Sequence, residues 1–275
     1  MKTEFKIRDH FLTKEVFTVV KQSEGVMKTE PDLDEKTLSK YYESNKYLSH
    51  KKGKGVVELL YSFFSKQMLN LKFNMIKKHI NEKSLIVDFG CGRGDFLSFL
   101  AQKNFNVVGV ENNDNAIKEC SKKKIKTHKS FKGLKNKIDA ITFWHSFEHL
   151  SNPKEVVGHI KRLVSNSSVV VIALPNNMSF DAKYYGAFWA AYDVPRHRFH
   201  YSNYGITKTM KEFGFVCVNK KPLCLDSFYI SMISEKHKNN KLFFFKGLII
   251  GLLSNLSAFF NSNYSSSVFV FKKAI

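Results

Sequence analysis

The stretch from Ser84 to Glu111, SLIVDFGCGRGDFLSFLAQKNFNVVGVE, constrains the fold more than any other part of the chain. It opens with Leu85-Ile86-Val87, an apolar, β-branched run of the kind that forms a buried parallel strand. Asp88 follows, and then Gly90, Cys91, Gly92, Arg93 and Gly94. Three glycines in five residues allow a sharp turn and let a ligand lie against bare backbone. Asp95 to Lys103 reads as a helix, with Phe96, Leu97, Phe99 and Leu100 apolar, and Asn106 to Val110 reads as a second strand ending on Glu111. Strand, glycine loop, helix, strand and carboxylate make one half of a nucleotide-binding α/β sheet.

A dinucleotide site would want G-x-G-x-x-G and a helix N-terminus facing a pyrophosphate. Here the spacing is G-x-G-x-G, residue 95 is Asp, and Asp88 precedes the first glycine by two positions. A carboxylate there opposes a pyrophosphate and favours a sulfonium and an amino group. The run V-D-F-G-C-G-R-G resembles the first motif of class I S-adenosylmethionine (SAM)-dependent methyltransferases, and Glu111 matches the ribose-binding acid of that family. The resemblance implies a seven-stranded Rossmann-like α/β sheet with helices on both faces and SAM as cofactor. Asp88, Gly90, Cys91, Gly92, Gly94, Glu111, Asn112, Ser130 and Trp144 are the cofactor-binding candidates it implies. The acid that many such enzymes place after the third strand is replaced by Ser130-Phe131-Lys132, which leaves Ser130 or a backbone group to meet the adenine.

The fourth strand, Ile138 to Trp144, runs into His145-Ser146-Phe147-Glu148-His149-Leu150-Ser151-Asn152-Pro153. This segment resembles the ubiquinone-biosynthesis type of methyltransferase, with Pro153 favourable in the first turn of the next helix. Val169 to Ala173 is a fifth strand. The run from Tyr184 to Tyr201, rich in aromatics, His and Arg, lies beyond a strand end, where ligands bind in open α/β sheets. His149, His197 and His145 are the candidates for catalysis, as a base of near-neutral pKa for an oxygen acceptor. Alternatively, H-x-x-E-H with a distant His resembles the metal site of small-RNA 2′-O-methyltransferases, giving His145, Glu148, His149 and His197 as ligands. A third reading leaves these residues purely structural.

The flanks are less informative. Residues 1–55 read as an N-terminal extension or lid, with Tyr41, Tyr42, Tyr47 and His50 as aromatics for the pocket, and 56–225 as the SAM-binding core opened by a long helix over Val56 to Ile80. Residues 226–265 read as a hydrophobic helical insertion, and 266–275 as the last strand, pairing with a sixth strand at Phe215 to Lys220. Within the insertion, Leu242 to Phe260 has the length to span a bilayer but carries Lys246, Ser254 and Ser257 at near-helical spacing. Packing on the domain, a homodimer contact, or peripheral membrane contact are the readings for 242–260; a true span conflicts with the strand that must return to the sheet.

The net charge of +20 comes from scattered lysines, so nucleic acid is not the expected partner, and a small-molecule or glycan- or lipid-linked acceptor is. Four cysteines without metal-type pairing point to a reducing compartment, and MKTEFKIRDHF has no signal-peptide core. The chain is expected in the cytoplasm, with membrane association left open. The expected activity is O-methylation with SAM. An RNA methyltransferase and a SAM-binding subunit without catalysis are the alternatives.

Overall fold

The structure is a computed structural model and describes residues 4–42 and 67–274. It contains a four-stranded antiparallel sheet and a seven-stranded, mostly parallel sheet. The small sheet comes first in the chain: β1 (Glu4–Arg8), β2 (Val16–Ser23) and β3 (Val26–Glu30), followed by the short helix α1 (Glu35–Ser39). A helical segment over 67–76, α2, leads into the large sheet.

The large sheet alternates strands and helices: β4 (Leu85–Phe89), α3 (Asp95–Ala101), β5 (Asn106–Val110), α4 (Asp114–Lys122), β6 (Lys126–His128) and β7 (Ile138–Trp144). Then come α5 (Pro153–Leu163), β8 (Val164–Pro175), α6 (Phe180–Tyr185), β9 (Phe199–Tyr201), α7 (Asn203–Glu212) and β10 (Phe215–Pro222). The chain closes with α8 (Cys224–His237), α9 (Phe243–Asn261) and β11 (Ser266–Lys273). Strand order is β10-β11-β8-β7-β4-β5-β6, with β11 antiparallel to both its neighbours. This is the expected sheet, with the last strand inserted where the sequence places it.

The two faces of that sheet follow the period of two. Val87, Ile141, Val170 and Ile172 bury one face against Val157 and Ile160 of α5 and Ile206 and Met210 of α7. Ile86, Ala140, Val169 and Val171 bury the other against Ile76 of α2 and Phe96 and Leu100 of α3. Full burial of each such side chain stabilises by about 1.5–3 kcal/mol before entropy is counted. Because β4, β5 and β7 are parallel, their carboxyl ends converge on one edge. The functional candidates sit there.

One expectation needs revision. Residues 4–30, read as an uninformative lead-in, form the three-stranded meander to which β9 adds a fourth strand by pairing with β3. The N-terminus is therefore scaffold for the segment around His197 rather than simply a lid. Its short apolar stretches, broken by charge, concealed the alternation of Phe17 and Val19, which are buried. The lid residues Tyr47 and His50, and the start of the long helix at Val56, lie outside the described residues. The insertion is a helical hairpin, packed through glycine: a Cβ at Gly247 would come within 2.6 Å of Met232, and one at Gly251 within 2.8 Å of Phe228.

Candidate active site

The glycine loop joins β4 to α3. Asp88 is buried one residue before the strand ends, directly across from Thr142 on β7, whose hydroxyl donates to it at 2.6 Å. Burial raises the Asp88 carboxyl to about 6, against the opposing influence of the Lys72 ammonium and the Thr142 hydrogen bond. Gly90 takes φ +64°, and a Cβ there would lie 2.6 Å from the Ser146 Cβ. Gly92 also has a positive φ, +54°, but a Cβ there meets nothing within 4 Å among the described residues, so conformation and not crowding by them favours glycine at that position. Gly94 caps α3. Cys91 turns its sulfur towards Gly109 and sits 4.0 Å from the Cys120 sulfur, and burial pushes its thiol up.

Glu111, at the end of β5, does more than the expected ribose contact requires. Its carboxylate accepts 2.9 Å hydrogen bonds from the backbone N–H groups of Gly92, Asn112 and Asn113. It therefore fixes the glycine loop against the next turn while keeping lone pairs to spare. Trp144, at the end of β7, packs edge-on against Phe96 with the Lys72 ammonium 5.0 Å from its ring, and its buried indole N–H has no hydrogen-bond partner among the described residues. Asn112 contributes its backbone N–H, and Ser130 caps the turn after β6 by accepting from Lys132.

Ser146 joins this cradle to a second cluster, because its hydroxyl donates to the Phe89 carbonyl at 2.6 Å. His145 sits just after β7 with φ +53°, uncommon for a side chain of that size. Its Nε2 lies 3.2 Å from Asp226 and its Nδ1 3.6 Å from Glu148. Glu148 is 1% exposed, and neither carboxylate oxygen has a hydrogen-bond partner among the described residues. Burial alone would raise this acid; contact with His145 and the nearby His197 and His149 outweigh it and bring it down to about 2.

His149 and His197 are aimed by their other nitrogens. His197 Nδ1 is 2.8 Å from the Ala191 carbonyl, and His149 Nδ1 is 2.9 Å from the Arg196 carbonyl and 3.0 Å from the Tyr42 hydroxyl. A carbonyl can only accept, so each Nδ1 carries a proton, and in the neutral imidazole the lone pair is left on Nε2. The two rings meet edge to face at 4.6 Å, and His197 Nε2 lies 4.0 Å from Glu148. One ligand atom from each of Glu148, His149 and His197 lies within 4.8 Å of the other two. Burial and the neighbouring His197 lower His149 to about 4, so it is a neutral imidazole. A cavity of about 10 Å³, the scale of one water molecule, abuts Glu148 and His197.

The profile of a methyltransferase-domain family matches residues 65–220. The chain belongs to that family. The carboxy-S-adenosyl-L-methionine synthase of Nautilia profundicola (strain ATCC BAA-1463 / DSM 18972 / AmH) is 34% identical over 62 residues, which are 22% of this chain and 26% of that protein. The match thus spans only about a quarter of the curated relative. The fold is similar to that of magnesium protoporphyrin IX methyltransferase from Synechocystis PCC 6803, solved with bound SAH, at a TM-score of 0.57 and 13% identity, covering 88% of this chain and all (100%) of that one. It is also similar to a cyclopropane synthase from Mycobacterium tuberculosis, at a TM-score of 0.52 and 12% identity, covering 85% and 88% of the two chains.

In this chain the sequence candidates separate into two groups. Asp88, the glycines, Glu111 and Trp144 line the cradle, whereas Glu148, His149 and His197 converge beside it and His145 turns to Asp226. His200 is not part of the cluster's chemistry: it is buried with Nε2 2.8 Å from Thr29 Oγ1, which itself donates to the His197 carbonyl. Sequence reasoning missed Lys72, Thr142 and Asp226. Asp226 carried a faint signal, being a lone acid among Leu223-Cys224-Leu225 and Ser227-Phe228-Tyr229. Lys72 carried none, since it is one lysine among many on an amphipathic helix.

The surroundings of the cluster come from far away in the chain. Arg196, 1% exposed, holds Asp193 through Nε and Nη2, reaches Asp9 at 2.9 Å and donates to the Tyr41 carbonyl. Arg198 binds Asp32 and the Leu33 carbonyl. These two arginines tie the segment carrying His197 to the N-terminal sheet, so they act as braces and not as ligands of a substrate.

Proposed function

We propose that this methyltransferase transfers the methyl group of SAM to a hydroxyl of a small-molecule or glycan- or lipid-linked acceptor. The observation that carries the reading is the buried Glu148 carboxylate, without a hydrogen-bond partner among the described residues, lying 4.0 Å from His197 Nε2 with a His149 ring nitrogen within 4.8 Å, and joined to the glycine cradle through Ser146. The cradle fits SAM by its donor set. Asp88 offers a buried carboxylate to a cation, Glu111 keeps acceptor capacity for ribose hydroxyls, and the Trp144 indole N–H seeks an acceptor. When bound, SAM supplies an already activated methyl group. The protein's contribution is then alignment and removal of the acceptor's proton.

His197 and His149, each held in one tautomer by a backbone carbonyl, present an Nε2 that can take that proton. Glu148 stabilises the imidazolium that results. Membership of the methyltransferase-domain family and the methyltransferases among the structurally similar proteins support methyl transfer in general; the choice of oxygen rests on the histidines alone. The test is calorimetric SAM binding together with methylation of a panel of phenols, sugars and lipid-linked sugars. Tight NADH binding without SAM binding would overturn the reading.

A second reading is favoured by ligand atoms of three residues lying within 4.8 Å of one another. Glu148, His149 and His197 form a carboxylate–imidazole set that suits a borderline divalent ion, with a ring nitrogen of each histidine engaged by a backbone carbonyl. Such an ion would acidify an acceptor hydroxyl. Metal analysis of untagged protein and activity after chelation separate the two: a metal-free, chelator-insensitive enzyme leaves the histidine base.

A further inference from the structure

The helix α9 is built inside out. Its small and polar positions, Gly247, Gly251, Ser254 and Ala258, face inwards, and Ser254 donates to the buried Asp181 at 2.8 Å. Apart from Ile250, which is buried, most of its large apolar positions face outwards: Phe245 is 66% exposed, Phe259 76% and Phe260 86%, with Ile249, Leu252 and Leu256 between them. Only 28% of the helix is buried, although it is long and apolar enough to cross a membrane. At about 100° per residue, the exposed apolar positions cover roughly half of the circumference, wider than the stripe that one partner helix would cover.

A basic cleft borders the first turn of this helix. It has a volume of about 580 Å³ and is lined by Lys6, Arg8, His10, Lys14, Lys236 and His237, with no acid among the described residues lining it. Lys236 belongs to both features, since its ammonium lies 4.5 Å from the ring of Phe243. At the other end of α9, Lys220 donates to the Ser262 carbonyl at 2.9 Å. From Gly214 to Lys273 the acids are Asp226 and Glu235, against eight lysines. Both acids are engaged, Asp226 by His145 and Glu235 by Asn240 and Lys246.

We propose that this face docks on a bilayer surface rich in anionic phospholipid, with α9 lying in the interface and head-group phosphates entering the basic cleft. Charge selects the occupant. A second copy would bring two chains of net charge +20 together, whereas anionic lipid complements both the cleft and the lysines at the helix ends. Packing excludes a span, because the inner face of α9 is held along its length by α8 and α6. The inference goes beyond methyl transfer and does not depend on it.

The test is co-sedimentation of the full chain with phosphatidylcholine vesicles and with vesicles containing phosphatidylglycerol. Binding to the second alone, weakened at least about tenfold by roughly 0.5 M salt, is the expected result. Phe259→Glu with Phe260→Glu, and separately Arg8→Glu with Lys236→Glu, should each cut binding at least about tenfold with the melting temperature unchanged. Equal binding to both vesicle types, or to neither, overturns the proposal. So does a dimer by light scattering that the Phe259/Phe260 pair dissociates while vesicles are ignored. Calorimetry with SAM on the same variants keeps this outcome separate from the methyl-transfer reading.

Discussion

The glycine cradle and the Glu148 cluster stand side by side on one sheet edge, yet they are assembled in opposite ways. The cradle draws mainly on one continuous βαβ stretch, Leu85 to Glu111, with Thr142 and Trp144 added by the adjacent β7; its strands are direct neighbours and its central contact is Glu111 on the Gly92 N–H. The cluster needs Tyr42, residues 145–149, His197 and Asp226 at once, and depends on Arg196 reaching back to Asp9. Local assembly makes the cradle robust. Distant assembly makes the cluster sensitive to changes far from its chemistry.

The largest effect should come from the brace. Arg196→Met leaves Asp9 buried opposite an apolar side chain, and breaking a buried ion pair in this way costs roughly 3–5 kcal/mol. Chemical denaturation should show that loss. If the variant is as stable as the wild type, the cluster does not depend on the N-terminal sheet and the contrast fails.

Next is Glu148→Gln, which keeps the shape and removes the charge. Turnover should fall by about 10²–10⁴-fold while SAM affinity stays within about twofold, because the cradle does not use this group. A parallel loss of SAM affinity would show that the two regions are one.

Glu111→Ala sharpens the cradle side. It removes the acceptor of three backbone N–H groups and the ribose contact together, and should lower SAM affinity at least about tenfold by calorimetry. The three amides make the outcome partly a loosening of the glycine loop, detectable as faster exchange at Gly92.

The smallest effect is on pH dependence. With its carboxyl raised to about 6, Asp88 carries a proton in the free protein at pH 5 and loses it by pH 7.5. Stability from this group is present below the unfolded value of about 4 and lost as pH rises through about 6. Affinity for cationic SAM should change the other way, rising roughly three- to tenfold between pH 5 and 7.5. Asp88→Asn should flatten that profile.

The same contrast explains what the sequence revealed. The seven-stranded sheet, the cradle and the β10–β11 pairing were legible because each rests on a local pattern: apolar runs, a glycine spacing, and the apolar core of SVFVFK. The candidates His149 and His197 were legible as types, but not the way in which Ala191 and Arg196 carbonyls aim them. Asp226 and Lys72 were not legible, because nothing near Leu225 or Leu71 indicates which distant group they approach. The N-terminal sheet was missed because its strands are short and β9 joins from some 170 positions later, at Met27 opposite His200.

The two helices α8 and α9 leave and re-enter the large sheet at a single doorway. The Leu223 N–H donates to the Ser266 carbonyl at 3.1 Å, and Pro222 pairs with Ser267. A segment whose ends already touch is a cassette: it can lengthen, shorten or be exchanged at a closure cost that grows only with the logarithm of its length. This cassette, however, carries Asp226 in the first turn of α8, where it meets His145. Any exchange that changes the outer apolar surface also resets the charge beside the Glu148 cluster, so address and chemistry are inherited together.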